Sequence, residues 1–222
     1  MTKQEIWLVL PVFNEAKYIG KVLNKLENIT HNIIVVDDGS DDHTADLLKA
    51  SNLYFLRHQI NLGKGAAMKT GADFAFAKLK ARAVIFMDGD DQHDPQELKL
   101  FFAKLLSGSK VVFGERKMDH QMPLLRIIGN RVASLLVMLL FGAYVPDIPS
   151  GFKAISRDVY QKLRWQASGY EVELELAARV AKNKINYSTI SINTIYHDLS
   201  KGMTLIDALQ TIARVFILKL TL

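Results

Sequence analysis

The chain has 222 residues, 49% of them hydrophobic and 23% charged, and it contains no cysteine. That balance excludes wholesale disorder, and the lack of cysteine excludes a disulfide framework and thiolate chemistry. The formal net charge of +5, with a pI near 9.3, favours anionic partners such as phosphates and lipid headgroups.

The length suits one large domain with a proper core. Ile6-Trp7-Leu8-Val9-Leu10-Pro11-Val12 reads as a buried strand. Asn14-Glu15 is the expected start of a helix that spaces Ile19, Val22, Leu23 and Leu26 along one face. Asn32-Ile33-Ile34-Val35-Val36 is a second strand closing on Asp37-Asp38-Gly39-Ser40, with Ser40 or Asp41 expected to cap a helix carrying Ala45, Leu47 and Leu48. Residues 53–57 form a short strand, Asn61-Leu62-Gly63-Lys64-Gly65 a loop, and residues 66–79 a helix. A fourth strand, Ala83-Val84-Ile85-Phe86-Met87, a capped helix and a fifth strand over 110–114 follow. This alternation predicts an α/β fold with a mainly parallel, doubly wound sheet and helices on both faces.

The second half reads differently. Residues 122–141 are strongly apolar, with charge only at Arg126 and Arg131, and contain most of the longest uncharged run, 132–145. That run is shorter than the ~20 residues a spanning helix needs. Residues 148–155 read as a return to the sheet, 170–181 as a helix and 185–195 as a strand. Leu205, Ile206, Leu209, Ile212, Phe216, Ile217 and Leu220 keep helical spacing, which fits either core packing or a membrane or partner face.

The chemistry concentrates in Asp88-Gly89-Asp90-Asp91-Gln92-His93, at the carboxyl end of the fourth strand, where open α/β sheets bind ligands. Asp94 is placed to cap the following helix, with Pro95 at its first position and Glu97 as the third residue of a capping box. Asp88, Asp90 and Gln92 offer hard oxygen ligands suited to Mg²⁺ or Mn²⁺; the alternative is a solvated acidic turn. No Gly-x-Gly-x-x-Gly follows the first strand, and Gly63-Lys64-Gly65 does not complete a P-loop. The glycine-rich entry loop of sugar nucleotidyltransferases is also missing.

In this order, Pro11-Val12-Phe13-Asn14-Glu15, Val35-Val36-Asp37-Asp38-Gly39-Ser40, Asn61-Leu62-Gly63-Lys64-Gly65 and Asp88-Gly89-Asp90-Asp91-Gln92-His93 resemble the family 2 glycosyltransferases of GT-A fold. Gly114-Glu115-Arg116 and Ser150-Gly151-Phe152-Lys153 are similar to the dolichyl-phosphate mannose and glucose synthase branch. The resemblance implies that Asp88, Asp90 and Gln92 hold a divalent metal on a donor diphosphate. It implies that Pro11, Phe13, Glu15 and Asp38 line the nucleoside pocket, and that arginines among Arg116, Arg126 and Arg131 bind a lipid phosphate. Lys64, before a helix, is either a phosphate contact or a solvated lysine. Beyond Tyr196 the chain departs from those synthases, so Lys201 and His197 are only candidate substitutes for their missing arginine. Glu173 is a candidate base, with a solvated helix face as the other reading of Glu171, Glu173 and Glu175.

The expected molecule is one GT-A domain over 1–222, with a nucleotide-sugar-binding half over 1–115 and an acceptor-binding half over 116–222. It would move mannose or glucose from GDP-mannose or UDP-glucose to a polyprenyl phosphate, with Mg²⁺ or Mn²⁺ and inversion. The alternatives are transfer to a carbohydrate hydroxyl, or a non-catalytic subunit binding nucleotide or membrane. No nucleic acid is expected as a partner. Met1-Thr2-Lys3-Gln4-Glu5 lacks signal-peptide design, so the expected location is cytoplasmic, with peripheral association at the cytoplasmic membrane face and a homodimer as rival uses of the apolar surfaces.

Overall fold

A computed structural model describes residues 1–51, 53–117, 124–195 and 205–222. The side chains of 124–127, Arg126 included, those of 205–212, with Leu205, Ile206, Leu209 and Ile212, and residues 196–204, with His197 and Lys201, lie outside the described residues.

Strands β1 (Ile6–Val12), β2 (Ile33–Asp37), β3 (Tyr54–Arg57), β4 (Ala83–Phe86), β5 (Val111–Arg116), β6 (Lys153–Ser156) and β7 (Ser188–Ile192) form one sheet, ordered β3-β2-β1-β4-β6-β5-β7. All pairings are parallel except those of β6, which runs antiparallel to both β4 and β5. The mainly parallel, doubly wound expectation is met. The reversed strand was not foreseen, because an apolar run reads the same in either direction.

Alternation along the strands feeds two cores. Ile6, Leu8, Leu10 and Val12 face α1 (Ile19–Leu26), α2 (Thr44–Lys49) and α4 (Leu98–Leu106), while Val9, Val84 and Phe86 face the other core. That second core is built by α3 (Lys64–Ala77), α5 (Leu124–Phe141), α6 (Arg157–Leu163), α7 (Val172–Lys182) and part of α8 (Leu205–Thr221). Each fully buried Leu, Ile or Phe here contributes roughly 1.5–3 kcal/mol.

Local hydrogen bonding moves several expected boundaries. Helix α1 starts at Ile19 rather than at Asn14-Glu15. Asn14 lies at φ +56, and its amide donates to Ser40 Oγ at 2.9 Å; the amide of Glu15 donates to Thr44 Oγ1 at 2.8 Å. Asn14 in the left-handed region cannot begin a right-handed helix, and the two bonds hold this turn against the 40–44 segment. Asp42, not Ser40 or Asp41, accepts the Thr44 amide at the start of α2. Asp94 caps as expected, accepting from the Gln96 amide at 2.9 Å, but Pro95–Glu97 is a 3₁₀ turn leading into α4. The capping box does not form: Glu97 Oε1 accepts the Asn193 amide at 2.6 Å and its Nδ2 at 3.0 Å instead. Helix α6 was not anticipated.

The connectivity reverses at β1. The chain steps outward through β2 and β3, then returns to place β4 on the other side of β1. Carboxyl ends of parallel strands at such a switch point form a natural ligand crevice.

Candidate active site

The crevice is a cavity of about 410 Å³, and Pro11, Phe13, Glu15, Asp38, Lys64, Asp88 and Asp90 all line it. Residues scattered from 11 to 90 therefore meet at one edge of the sheet, joined there by Gly169 and Tyr170 from the turn before α7. A larger cavity of about 920 Å³ lies between α1 and α2 and contains none of the candidate residues.

The acidic turn splits by direction. Asp88 and Asp90 face the cavity, whereas Asp91, at φ +60, turns to the ammoniums of Lys21 and Lys25 on α1. Gln92 is half-buried and outside the cavity lining; its amide donates to Asp90 Oδ1 at 3.0 Å, and its carbonyl accepts from the Ile195 amide at 2.9 Å. His93 is buried, with Nε2 3.6 Å from Asp88 Oδ2 and its ring tilted on Phe152.

Lys64 opens α3, and its ammonium lies 2.6 Å from Asp88 Oδ1 and 3.0 Å from Glu173 Oε1. The other Glu173 oxygen meets Lys153, which also donates to the carbonyls of Ile148 and Ser150. Glu173 is 4% exposed and Lys153 1%, which corrects the solvated-face reading of α7. Glu175 is buried as well, accepting the amides of Gln166 and Ala167 and the Arg179 guanidinium.

These charges set each other's ionisation. Burial alone would pull Lys64 down, but Asp88 and Glu173 outweigh it and hold the ammonium above the ordinary lysine value. Burial would likewise raise Asp88, yet Lys64 and His93 hold it well below the usual carboxylate range. Asp90 goes the other way: burial and then the neighbouring Asp88 charge push it up. Burial pulls Lys153 below the ordinary lysine value, against the attraction of Glu173.

Two nearby carboxylates, one of them pushed up by burial and by the charge of the other, fit a divalent cation. Among the described residues no three His, Cys, Asp or Glu gather into a metal cluster. Such a donor set suits Mg²⁺ or Mn²⁺, which bind through one or two carboxylates and take their remaining ligands from phosphate and water.

Asp38 lines the cavity, but its oxygens already accept from the amides of Leu62 (3.0 Å) and Gly63 (2.7 Å) and contact His58 Nδ1 at 2.6 Å. His58 Nε2 in turn meets Thr70 Oγ1 at 2.9 Å. This carboxylate shapes the loop that delivers Lys64. Gly63 stands at φ +99, where any Cβ would fall 2.5 Å from the Ser168 carbonyl oxygen.

Arg116 ends β5 and grips Asp147 through Nε (2.8 Å) and Nη2 (2.6 Å), while Asn130 Nδ2 also donates to Asp147 at 3.0 Å. The guanidinium is thus oriented from a loop 31 residues away. Arg131 is exposed on α5.

Residues 7–164 match Glycosyl transferase family 2. The chain belongs to this family. It is 32% identical to a UDP-N-acetylglucosamine--dolichyl-phosphate N-acetylglucosaminyltransferase of Methanococcus voltae, over 99% of this chain and 98% of that one. It is 28% identical to a dolichyl-phosphate hexose transferase of Haloferax volcanii, over 86% and 83% of the two chains. The crystal structure of glucosyl-3-phosphoglycerate synthase from Mycobacterium tuberculosis, in complex with Mn²⁺, UDP-glucose and phosphoglyceric acid, superposes with a TM-score of 0.72. It covers 96% of this chain and 79% of that one; at 22% identity the likeness is one of fold. The protein is a glycosyltransferase of GT-A fold, and its relatives include the dolichyl-phosphate branch that the motifs resembled.

Within the quoted motifs the sequence assigned no role to His93, Gly151 or Lys153, and it did not single out Asp147. Lys153 left a signal, a lysine inside an otherwise apolar stretch. Gly151 left one in the Ser150-Gly151-Phe152-Lys153 segment. A Cβ there would sit 2.1 Å from Asp88 Oδ2, so Gly151→Ala is expected to swing that carboxylate out of place. Displacements near 1 Å cost about 10²-fold in rate. Steady-state turnover of the variant, beside an unchanged melting temperature, checks this.

Proposed function

We propose that the chain transfers a sugar from a nucleotide donor to a polyprenyl phosphate, with inversion at the anomeric carbon. The single observation that carries this reading is the meeting of Asp88, Asp90, Lys64, Phe13 and Glu15 in one cavity at the switch point of the sheet. Asp88 and Asp90 would hold Mg²⁺ or Mn²⁺, with Gln92 close behind the turn; a bound cation supplies charge neutralisation for the leaving diphosphate. Lys64 adds a fixed ammonium on the same side. At an effective dielectric near 20, unit charges 4 Å apart interact by about 4 kcal/mol, so both cations matter to a departing diphosphate. Pro11, Phe13 and Glu15 face the nucleoside, and Asp38 shapes the loop that delivers Lys64.

The two acceptor readings differ in the chemistry that each nucleophile needs. A phosphate monoester is mostly ionised near pH 7, its second pKa being about 6, and needs cations rather than a base. A sugar hydroxyl needs a carboxylate within reach. Glu173, the candidate base, faces an ammonium with each oxygen and lies outside the cavity lining, which disfavours the hydroxyl reading. Arg116 also lies outside the cavity lining, paired with Asp147; with Arg126 and Arg131 it would receive an acceptor phosphate that approaches from outside the donor cavity. The sheet joins strands from both halves, and the whole of 1–222 would act as one unit.

A thermal-shift panel tests the donor side. GDP-mannose, UDP-glucose and, in view of the Methanococcus relative, UDP-N-acetylglucosamine are each offered with Mn²⁺ or with chelator. At least one is expected to stabilise the protein only with Mn²⁺; stabilisation indifferent to chelator contradicts the metal assignment.

No helix among the described residues is long and apolar enough to cross a membrane. Yet α5 exposes Ile128, Val132, Leu135 and Leu139 at helical spacing, and α8, tied to it by Lys219 on the Leu140 carbonyl, exposes Phe216, Ile217 and Leu220. With Arg131, Arg214 and Lys219 alongside, this face suits the interface of an anionic bilayer. Flotation with anionic liposomes at low salt should carry the protein upward. A protein left in the soluble fraction, or a dimer that hides these residues, contradicts it.

A further inference from the structure

We propose that Glu173 is a positioning residue for donor binding: it holds the Lys64 ammonium where the donor diphosphate must lie. This rests on the reading of the cavity as a nucleotide-sugar site and adds a residue to it.

The backbone of Lys64 is fixed on both sides. Gly63 and Gly65 pack so closely on the 167–168 segment that a Cβ would fall 2.5 Å from the Ser168 carbonyl oxygen or 2.4 Å from that of Ala167. The Ala66 amide donates to the Ser168 carbonyl at 3.0 Å, and Trp165 Nε1 donates to the Gly65 carbonyl at 2.8 Å. The beginnings of α3 and α7 are thereby laced together. A lysine side chain is still long and flexible, so a pinned backbone does not by itself place its head.

Glu173 supplies that second constraint. It sits in the first turn of α7, 3.0 Å from the ammonium and 4% exposed, and it does not line the cavity. It therefore acts through Lys64 rather than on substrate. Asp88 at 2.6 Å and Glu173 at 3.0 Å form ion pairs with the ammonium from different elements, which restricts where the charge itself can lie. Lys153 answers the cost of burying this carboxylate. Its ammonium meets three acceptors, Glu173 and the carbonyls of Ile148 and Ser150, and never reaches the cavity. The series Lys153, Glu173, Lys64, Asp88 alternates in sign from the core outward to the diphosphate site.

The test separates placement from stability. Wild type, Glu173→Gln and the double variant Glu173→Gln with Lys153→Met are titrated calorimetrically with UDP–Mn²⁺ and with GDP–Mn²⁺, and melted without ligand. Glu173→Gln leaves an uncompensated buried ammonium and should melt lower; adding Lys153→Met removes that charge and should recover most of the loss. The nucleotide that binds wild type should bind both variants about tenfold or more weakly, because the ammonium is no longer held beside the diphosphate. Affinity that is unchanged in Glu173→Gln, or that returns with the melting temperature in the double variant, assigns Glu173 a purely structural role and overturns the inference alone. Wild type that binds neither nucleotide overturns the nucleotide-sugar reading itself.

Discussion

Asp90→Ala is expected to lower turnover by about 10²–10³-fold or more while leaving the melting temperature unchanged or slightly higher. Asp90 lies in a turn after β4, and its only described hydrogen bond is the one Oδ1 accepts from the Gln92 amide. Among the described residues no cationic side chain lies within ion-pair distance of it, while the Asp88 charge opposes its own. Removing it relieves repulsion and deletes no core packing. Such a carboxylate is a cost to the fold that a divalent cation would offset, so the expected loss belongs to chemistry. Steady-state transfer beside thermal unfolding checks the pair of effects. A variant that keeps most of its turnover under defined Mn²⁺, or one that loses activity only by unfolding, contradicts the role.

The second large effect is on stability. Lys153→Ala should cost about 3–5 kcal/mol, the range for breaking a buried ion pair by removing one partner. The truncation leaves the Ile148 and Ser150 carbonyls without their donor and Glu173 with Lys64 alone, and it opens a void at a position 1% exposed. For a chain of this size each kcal/mol shifts the melting temperature by roughly 2–4 °C, so a fall of about 6–20 °C is expected. Lys219→Ala, an exposed side chain on α8, should move it far less. Thermal melts of the two variants under one buffer make the comparison.

What could be read from sequence follows a physical division. The strands β1, β2 and β4 were legible because burial on both faces writes itself as continuous apolar runs. The acidic turn was legible because such a run ends there, and a capped helix follows. Features set by partners distant in sequence were not. Glu97 looks like a capping-box residue until Asn193 arrives to claim it. Asn14-Glu15 looks like a helix start until Ser40 and Thr44 hold it in a turn with Asn14 in the left-handed region. Glu173 alternates with apolar neighbours as a surface residue would, and only Lys64 and Lys153, 109 and 20 residues away, explain its burial. Arg116 was singled out as an anion binder; that its guanidinium is aimed by Asp147 depends on a loop whose approach no local pattern announces.

The acceptor decides the account. Labelled sugar nucleotide and Mn²⁺ are supplied to wild type, Arg116→Ala and Arg126→Ala, with vesicles carrying a polyprenyl phosphate and simple glycans competing as acceptors. Label is then counted in the organic and aqueous products. The account predicts Mn²⁺-dependent label in the organic phase, lost in both arginine variants, which still bind the donor. Label passing to the glycans instead, with the arginine variants unaffected and Glu173→Gln inactive, would contradict it.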